Sequence, residues 1–308
     1  DYSAEMTVSD EILTRTADTY RRIRNTVRFL LANLNGFDPA RHMLDDSDML
    51  SLDRWAVARA HQLQQQIDDA SQDYNFHIIY QRLHNFCAVD MGGFYLDIIK
   101  DRQYTTQPDS IARRSAQTAL YHIAEAMCRW LAPILSFTAD EIWQFMPGDR
   151  SGSVQLETWY PNLFELDKDE PMNMDFWQQV LETRSTVSKQ LENLRVDNRI
   201  GSSLDAEVSV YCNGGLQQNL NKLEDELRFV MITSDARVGS PDARPDAAVE
   251  ARLANGESIY IMAAASDHSK CVRCWHHRAD VGKDQQHPEL CGRCVENVAG
   301  DGEARRYA

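Results

Sequence analysis

Residues 7–36 read TVSDEILTRTADTYRRIRNTVRFLLANLNG. Leu13, Ala17, Tyr20, Ile23, Val27, Leu30 and Leu34 recur every three or four residues, which places them on one stripe of a single α-helix. Thr7 with Asp10 fits a capping box at its start, and Gly36 supplies the stop. Arg21, Arg24 and Arg28, with Asn25 beside them, fall on another face of the same helix. Two readings of that face stand: a solvated helix surface, or a ridge whose guanidinium forks contact phosphates.

The helical pattern extends along the chain. Residues 50–69 and 73–91 repeat it, the second through Phe76, Ile79, Leu83, Phe86 and Val89, and Gly92-Gly93 is expected to end that run. FYLDIIKDRQY follows at 94–104, then a long amphipathic stretch over 109–132 that stops at Pro133. Thr138 with Glu141 reads as a second capping box ahead of IWQFM. Strand-like alternation is missing from 1–146, so the fold class is mainly α, an antiparallel helical bundle over 1–150.

The texture changes after Pro147. Residues 153–159 look like an extended exit segment, and 173–195 are helical again. Ala206, Val208 and Val210 alternate with polar neighbours as in a half-buried strand. A helix-like stretch at 216–228, a candidate strand RFVMITS at 228–234 and a last strand at 258–264 complete a small α/β unit, 151–265. Residues 236–257, rich in Ala, Asp, Arg and Pro without period, read as a linker within it.

The tail, 266–308, carries Cys271, Cys274, Cys291 and Cys294: two C-x2-C pairs separated by 16 residues. That spacing is the one a tetrahedral structural zinc site requires, because each tight turn aims two sulfurs inward. No thioredoxin-like context supports a redox reading, and no signal peptide supports disulfides. His276, His277 or His287 in place of one cysteine is the remaining ligand set. Cys87, Cys128 and Cys212 stand singly among apolar residues, as buried thiols of a cytoplasmic protein do.

With net charge −15 and a pI near 5.0, the chain is no general polyanion binder, although basic residues gathered on one face still allow a selective one. No apolar run reaches the length of a membrane span. Neither a Gly-rich phosphate loop nor a G-x-S-x-G element is present, and the many paired carboxylates are most simply solvated surface, so no catalytic residue is assigned.

YRRIRNTVRFLLANLNGF (20–37), LDRWAVAR (52–59), FYLDIIKDRQY (94–104) and LAPILSFTADEIWQFMPG (131–148) occur in an order that resembles the post-catalytic part of class I aminoacyl-tRNA synthetases of the Ile/Val/Leu group. KCVRCWHHRADVG with LCGRCVENVAGDGEARRYA resembles the tail of the bacterial isoleucyl family. The resemblance implies an anticodon-binding bundle, a C-terminal junction domain and a zinc module holding one structural Zn2+. It implies a monomeric parent enzyme whose partners are tRNA(Ile) and the catalytic and editing domains of the same polypeptide. ATP would belong to those domains, since neither an H-x-G-H string nor a KMSKS-like string is found. The start at Asp1-Tyr2-Ser3 fits an internal piece of such a chain. Arg21, Arg24, Asn25 and Arg28 become candidates for tRNA contact, joined by Lys100 and Arg102, and in the tail by Arg273, Trp275 and Arg293. Trp275 is equally a stacking platform or a packing residue.

From residue 268 onward, seven Lys and Arg face six Asp and Glu, and four thiolates with Zn2+ add −2, so the tail cannot grip RNA by net charge. A DNA-repair glycosylase with this finger spacing needs an N-terminal proline, which is not here, and a zinc-bearing protein-interaction scaffold leaves the four helical segments unexplained. A valyl or leucyl relative is disfavoured by the tail.

Overall fold

The computed structural model describes residues 5–308; the Asp1-Tyr2 start lies outside the described residues. Two compact units are present. One comprises the chain to residue 97 with 113–167, the other 98–112 with 168–308.

The first unit is helical. Helix α1 spans Asp10–Asn33 and is capped by Ser9, whose hydroxyl accepts from the Ile12 amide, rather than by the Thr7 box. Its apolar stripe reaches the core only from Ile23; Ile12 and Leu13 are exposed. Next come α2 (Pro39–His42), α3 (Ser51–Gln72) and α4 (Phe76–Asn85). The chain does not stop at Gly92-Gly93. A π-helical segment, Phe86–Tyr95, runs through both glycines into α5 (Leu96–Thr105). The widened turn explains why glycine is needed: a Cβ on Gly92 would lie 3.0 Å from the Cys87 carbonyl oxygen. Helices α6 (Ile111–Leu131) and α7 (Ser136–Phe145) follow. Thr138 lies inside α7 and caps nothing; its hydroxyl shares a 3.2 Å hydrogen bond with Tyr20 and ties α7 to α1.

The core of this unit is aromatic and aliphatic, with Trp55 edge-on to Phe94 and Phe86 edge-on to Trp130. Buried Asp53 accepts from the Tyr95 hydroxyl at 2.6 Å and from Ser115. The segment expected to be extended at 153–159 holds a 3-10 turn, Val154–Leu156. Around it Arg129 and Arg150 converge on buried Glu125, and Arg129 also reaches Glu157 at 3.2 Å. His122 Nδ1 lies 2.8 Å from the Tyr160 hydroxyl. Burial holds the His122 imidazole down at about 4, against the pull of Glu125. The unfolded chain binds that proton near pH 6.5 and the folded chain only near 4, so stability falls as pH drops through this window, by about 3 kcal/mol. His122→Gln should flatten the melting-temperature profile between those pH values; an unchanged slope would show that His122 does not set it.

In the second unit, α8 (Met174–Val196) is capped by Asn173 and packs on the sheet. Strand β1 (Ala206–Tyr211) leads to α9 (Gly214–Asn221) and α10 (Leu227–Met231), then β2 (Asp235–Gly239), β3 (Val249–Arg252), β4 (Ser258–Ala265) and α11 (Gly292–Ala299). Among the described residues the strands form one sheet ordered β2-β1-β4-β3, parallel only between β1 and β2. RFVMITS is therefore not a strand. A parallel pair requires a crossover, and α9 with α10 supplies it. Ile232, at φ 56°, ends α10 in the left-handed region, and the strand begins three residues later. The stretch expected to be a linker contributes most of β2 and all of β3. Cys87, Cys128 and Cys212 are buried free thiols, and burial pushes them to about 12, 12 and 11. No helix among the described residues is long and apolar enough to cross a membrane.

Candidate metal centre and nucleic-acid interface

The second unit brings the four tail cysteines together. Residues 270–277 form a tight hairpin in which the Cys271 amide donates to the His276 carbonyl and the Trp275 amide to the Cys271 carbonyl, both at 2.9 Å. Trp275 closes the turn at φ 67°. Cys291 is the N-cap of α11 and Cys294 sits in its first turn, where the positive end of the helix dipole favours thiolates. The Gly292 amide donates to Asp280 at 2.9 Å, and a Cβ there would come within 2.8 Å of that carboxylate.

All four sulfurs lie within 4.8 Å of one another, and Cys274 and Cys291 are 3.7 Å apart. Four sulfurs at about 2.3 Å from a tetrahedral metal stand about 3.8 Å from each other, so the arrangement fits zinc. His276 is not placed among them; its ring lies edge-on to Phe229, 5.5 Å between centroids. Hydrogen bonds from the other three thiols hold Cys274 well below the usual thiol range. A divalent cation held by Cys271, Cys274, Cys291 and Cys294 would take the place of these shared protons.

A second cluster supports the first. Arg293, between the two α11 cysteines, forks onto Asp101 of α5 at 2.6 and 2.8 Å and reaches Glu303 at 3.1 Å. Arg305 also binds Asp101, at 2.5 Å, and its guanidinium carbon stands 3.3 Å from the centre of the Phe229 ring. Arg273 donates to the Thr105 carbonyl at 2.6 Å, and Gln107 to Gly300 at 3.0 Å. The amides of Arg306, Tyr307 and Ala308 all donate to Glu226. Burial alone would raise Asp101; Arg293 and Arg305 outweigh it and hold the carboxyl well below the usual range. The metal turns, the C-terminal strap and residues 98–112 are thus one packed assembly.

This assembly engages two of the residues expected to contact RNA. Arg293 is spent on carboxylates, and Arg102 is 1 % exposed with its guanidinium donating to the Ala112 carbonyl. Both guanidinium groups are held by acceptors of the protein itself. Lys100 is exposed, and Trp275 is 61 % exposed.

In the first unit, Arg24, Asn25 and Arg28 line a groove of about 700 Å3 between α1 and α7, with Glu141 and Phe145 on the α7 side. Arg24 lies 3.6 Å from Glu141; Arg21 pairs instead with Asp18 on its own helix, 2.6 Å away. Arg28 has no ion-pair partner among the described residues. Sequence reasoning missed Phe145 and Asp101. Phe145 counted only as one of IWQFM's apolar residues, and nothing near Asp101 announces partners some 200 positions away.

A family profile described as the anticodon-binding domain of tRNA ligase matches residues 53–210, and one described as the zinc finger found in FPG and IleRS matches 269–297. The isoleucine–tRNA ligases of Alkalilimnicola ehrlichii, Thioalkalivibrio sulfidiphilus and Pseudomonas aeruginosa are 62, 63 and 55 % identical to the whole chain. The chain spans 33, 33 and 32 % of those proteins, about a third of their length. With the first profile covering half of its residues, the second laid over the four-cysteine cluster and relatives identical at more than half of all positions, the chain belongs to the anticodon-binding domain family of tRNA ligases.

Proposed function

We propose that this chain is the tRNA-recognition part of an isoleucine–tRNA ligase of the cytoplasm, acting as a monomer with the catalytic and editing domains of the same polypeptide. The match of the anticodon-binding profile, in a chain whose relatives are isoleucine–tRNA ligases, carries the reading. The helices of 1–150 receive the anticodon arm of tRNA(Ile), 151–265 form the junction, and 266–308 hold one structural Zn2+ through Cys271, Cys274, Cys291 and Cys294. Isoleucine activation with ATP belongs to the remainder of the enzyme. Exposed Arg21, Asn25 and Arg28, with half-buried Arg24, contact RNA, and Lys100, Arg273 and Trp275 are further contacts from the second unit. On a chain of net charge −15, discrimination rests on splayed bases and a few local cations rather than on overall attraction.

A nitrocellulose-retention assay should show preference for a tRNA(Ile) transcript over transcripts with other anticodons. Isoleucine-dependent ATP–pyrophosphate exchange should stay at background. Equal retention of every tRNA would remove the recognition role, and exchange above background would remove the division of labour.

A further inference from the structure

The geometry points to the α1–α7 groove as the seat of a single unstacked RNA nucleotide, with Phe145 as the stacking surface and Asn25 and Arg28 as its polar partners. This rests on the anticodon-binding reading and names the place where one base is taken.

Three observations carry it. The groove, about 700 Å3, lies within the roughly 300–1,000 Å3 of small-ligand clefts. Its floor is apolar, with Val27 and Ile142 buried beneath it. Phe145 is 70 % exposed at the last turn of α7, a ring presented to the groove instead of to the core. Every nucleobase has a π face, so such a ring binds unpaired bases and is blind to paired ones.

The rim supplies the rest. Asn25 is exposed and offers both a donor and an acceptor to a base edge. Arg28, without an ion-pair partner among the described residues, stands one helical turn further along α1 as a phosphate ligand. Glu141 is the one carboxylate among the residues that line the groove, and Arg24 faces it at 3.6 Å across an exposed pair. A pair of that kind contributes little, so Arg24 exchanges Glu141 for a phosphate at small cost. The Tyr20–Thr138 hydrogen bond holds the two helices together beside the groove, so the seat is formed before RNA arrives. Lone cations on a solvated helix would not need an apolar floor or an outward ring between them.

The test is an anisotropy titration of the full chain with a tRNA(Ile) transcript, free or with a complementary DNA strand annealed across its anticodon loop. The wild-type chain should bind the free transcript better than the annealed one. Phe145→Ala should weaken binding of the free transcript about tenfold, within the range expected for losing one stacked base, and leave the annealed one unchanged. Phe145→Trp should restore affinity, and its added fluorescence should be quenched by the free transcript alone. Arg28→Ala should lower the salt slope of binding by about one. Circular dichroism confirms folding; Phe145 is exposed, so its truncation should not alter it. Wild-type affinity in Phe145→Ala would overturn the seat while leaving the anticodon reading intact. A wild-type chain indifferent to the annealed strand would overturn the anticodon reading, and the seat with it.

Discussion

Cys274→Ser is expected to strip the metal from the tail and open it to protease. Four thiolates meet in a cluster packed by the partly buried Val281 and Leu290, so the closure of the two turns around the cysteines depends on the ion. Structural zinc in comparable small modules contributes about 10–16 kcal/mol, far more than two partly buried side chains provide. Elemental analysis should find no stoichiometric zinc, and limited proteolysis should cut between residues 271 and 294. The helices of the first unit, whose core contains none of these residues, should keep their circular dichroism. A variant that retains zinc and resists cleavage would show that three ligands suffice.

The second large effect is expected at Asp101. Its carboxylate, 15 % exposed, neutralises the guanidinium groups of Arg293 and Arg305, themselves 11 and 2 % exposed. Asp101→Asn leaves both cations in a confined site with Glu303 as their remaining carboxylate, which should cost about 3–5 kcal/mol. Because Arg293 stands between two metal ligands, the loss should also speed zinc transfer to a chelator and expose the C-terminal strap. The pH dependence has a definite sign. In the unfolded chain Asp101 titrates at about 3.9, and in the folded protein well below that. Its contribution is complete at neutral pH and is lost only as the pH falls below about 4 towards the folded value. The variant should therefore melt lower at pH 7 and show a shallower decline in acid. Equal melting temperatures at neutral pH would mean that Arg293 and Arg305 find other partners.

The two substitutions act on different links. Cys274→Ser removes the centre itself, whereas Asp101→Asn leaves all four sulfurs and removes what anchors their helix. Fast zinc loss from the second variant is evidence of coupling that the first cannot provide.

Local chemistry was legible wherever it was self-contained. Two residues between cysteines dictate a turn with both sulfurs on one side, whatever surrounds it, and the structure brings all four together. The α1 stripe was legible for a similar reason, since Ile23, Val27 and Leu30 need only a helical period to share a face. Gly92-Gly93 misled because glycine usually ends helices; here it permits a wide turn that a side chain would obstruct. RFVMITS misled because a short, mostly buried run around Phe229, Val230 and Met231 suits either an inner strand or a short helix. Only the parallel pairing of β1 with β2 decides between them.

The arginines show the division most clearly. In the sequence, Arg28 and Arg293 are equivalent candidates for phosphate: each is cationic and each lies in a segment linked to tRNA. Sequence alone determined the helical class, the four-cysteine array and the family resemblance, because these depend on spacings of a few residues along one chain. Tertiary structure alone decided that Arg293 is spent on Asp101, that Arg28 remains unspent among the described residues, and that Phe145 turns outward beside it. The reason is electrostatic and steric at once. A buried cation must be neutralised by whatever carboxylate the fold delivers, and that partner sits 192 positions away.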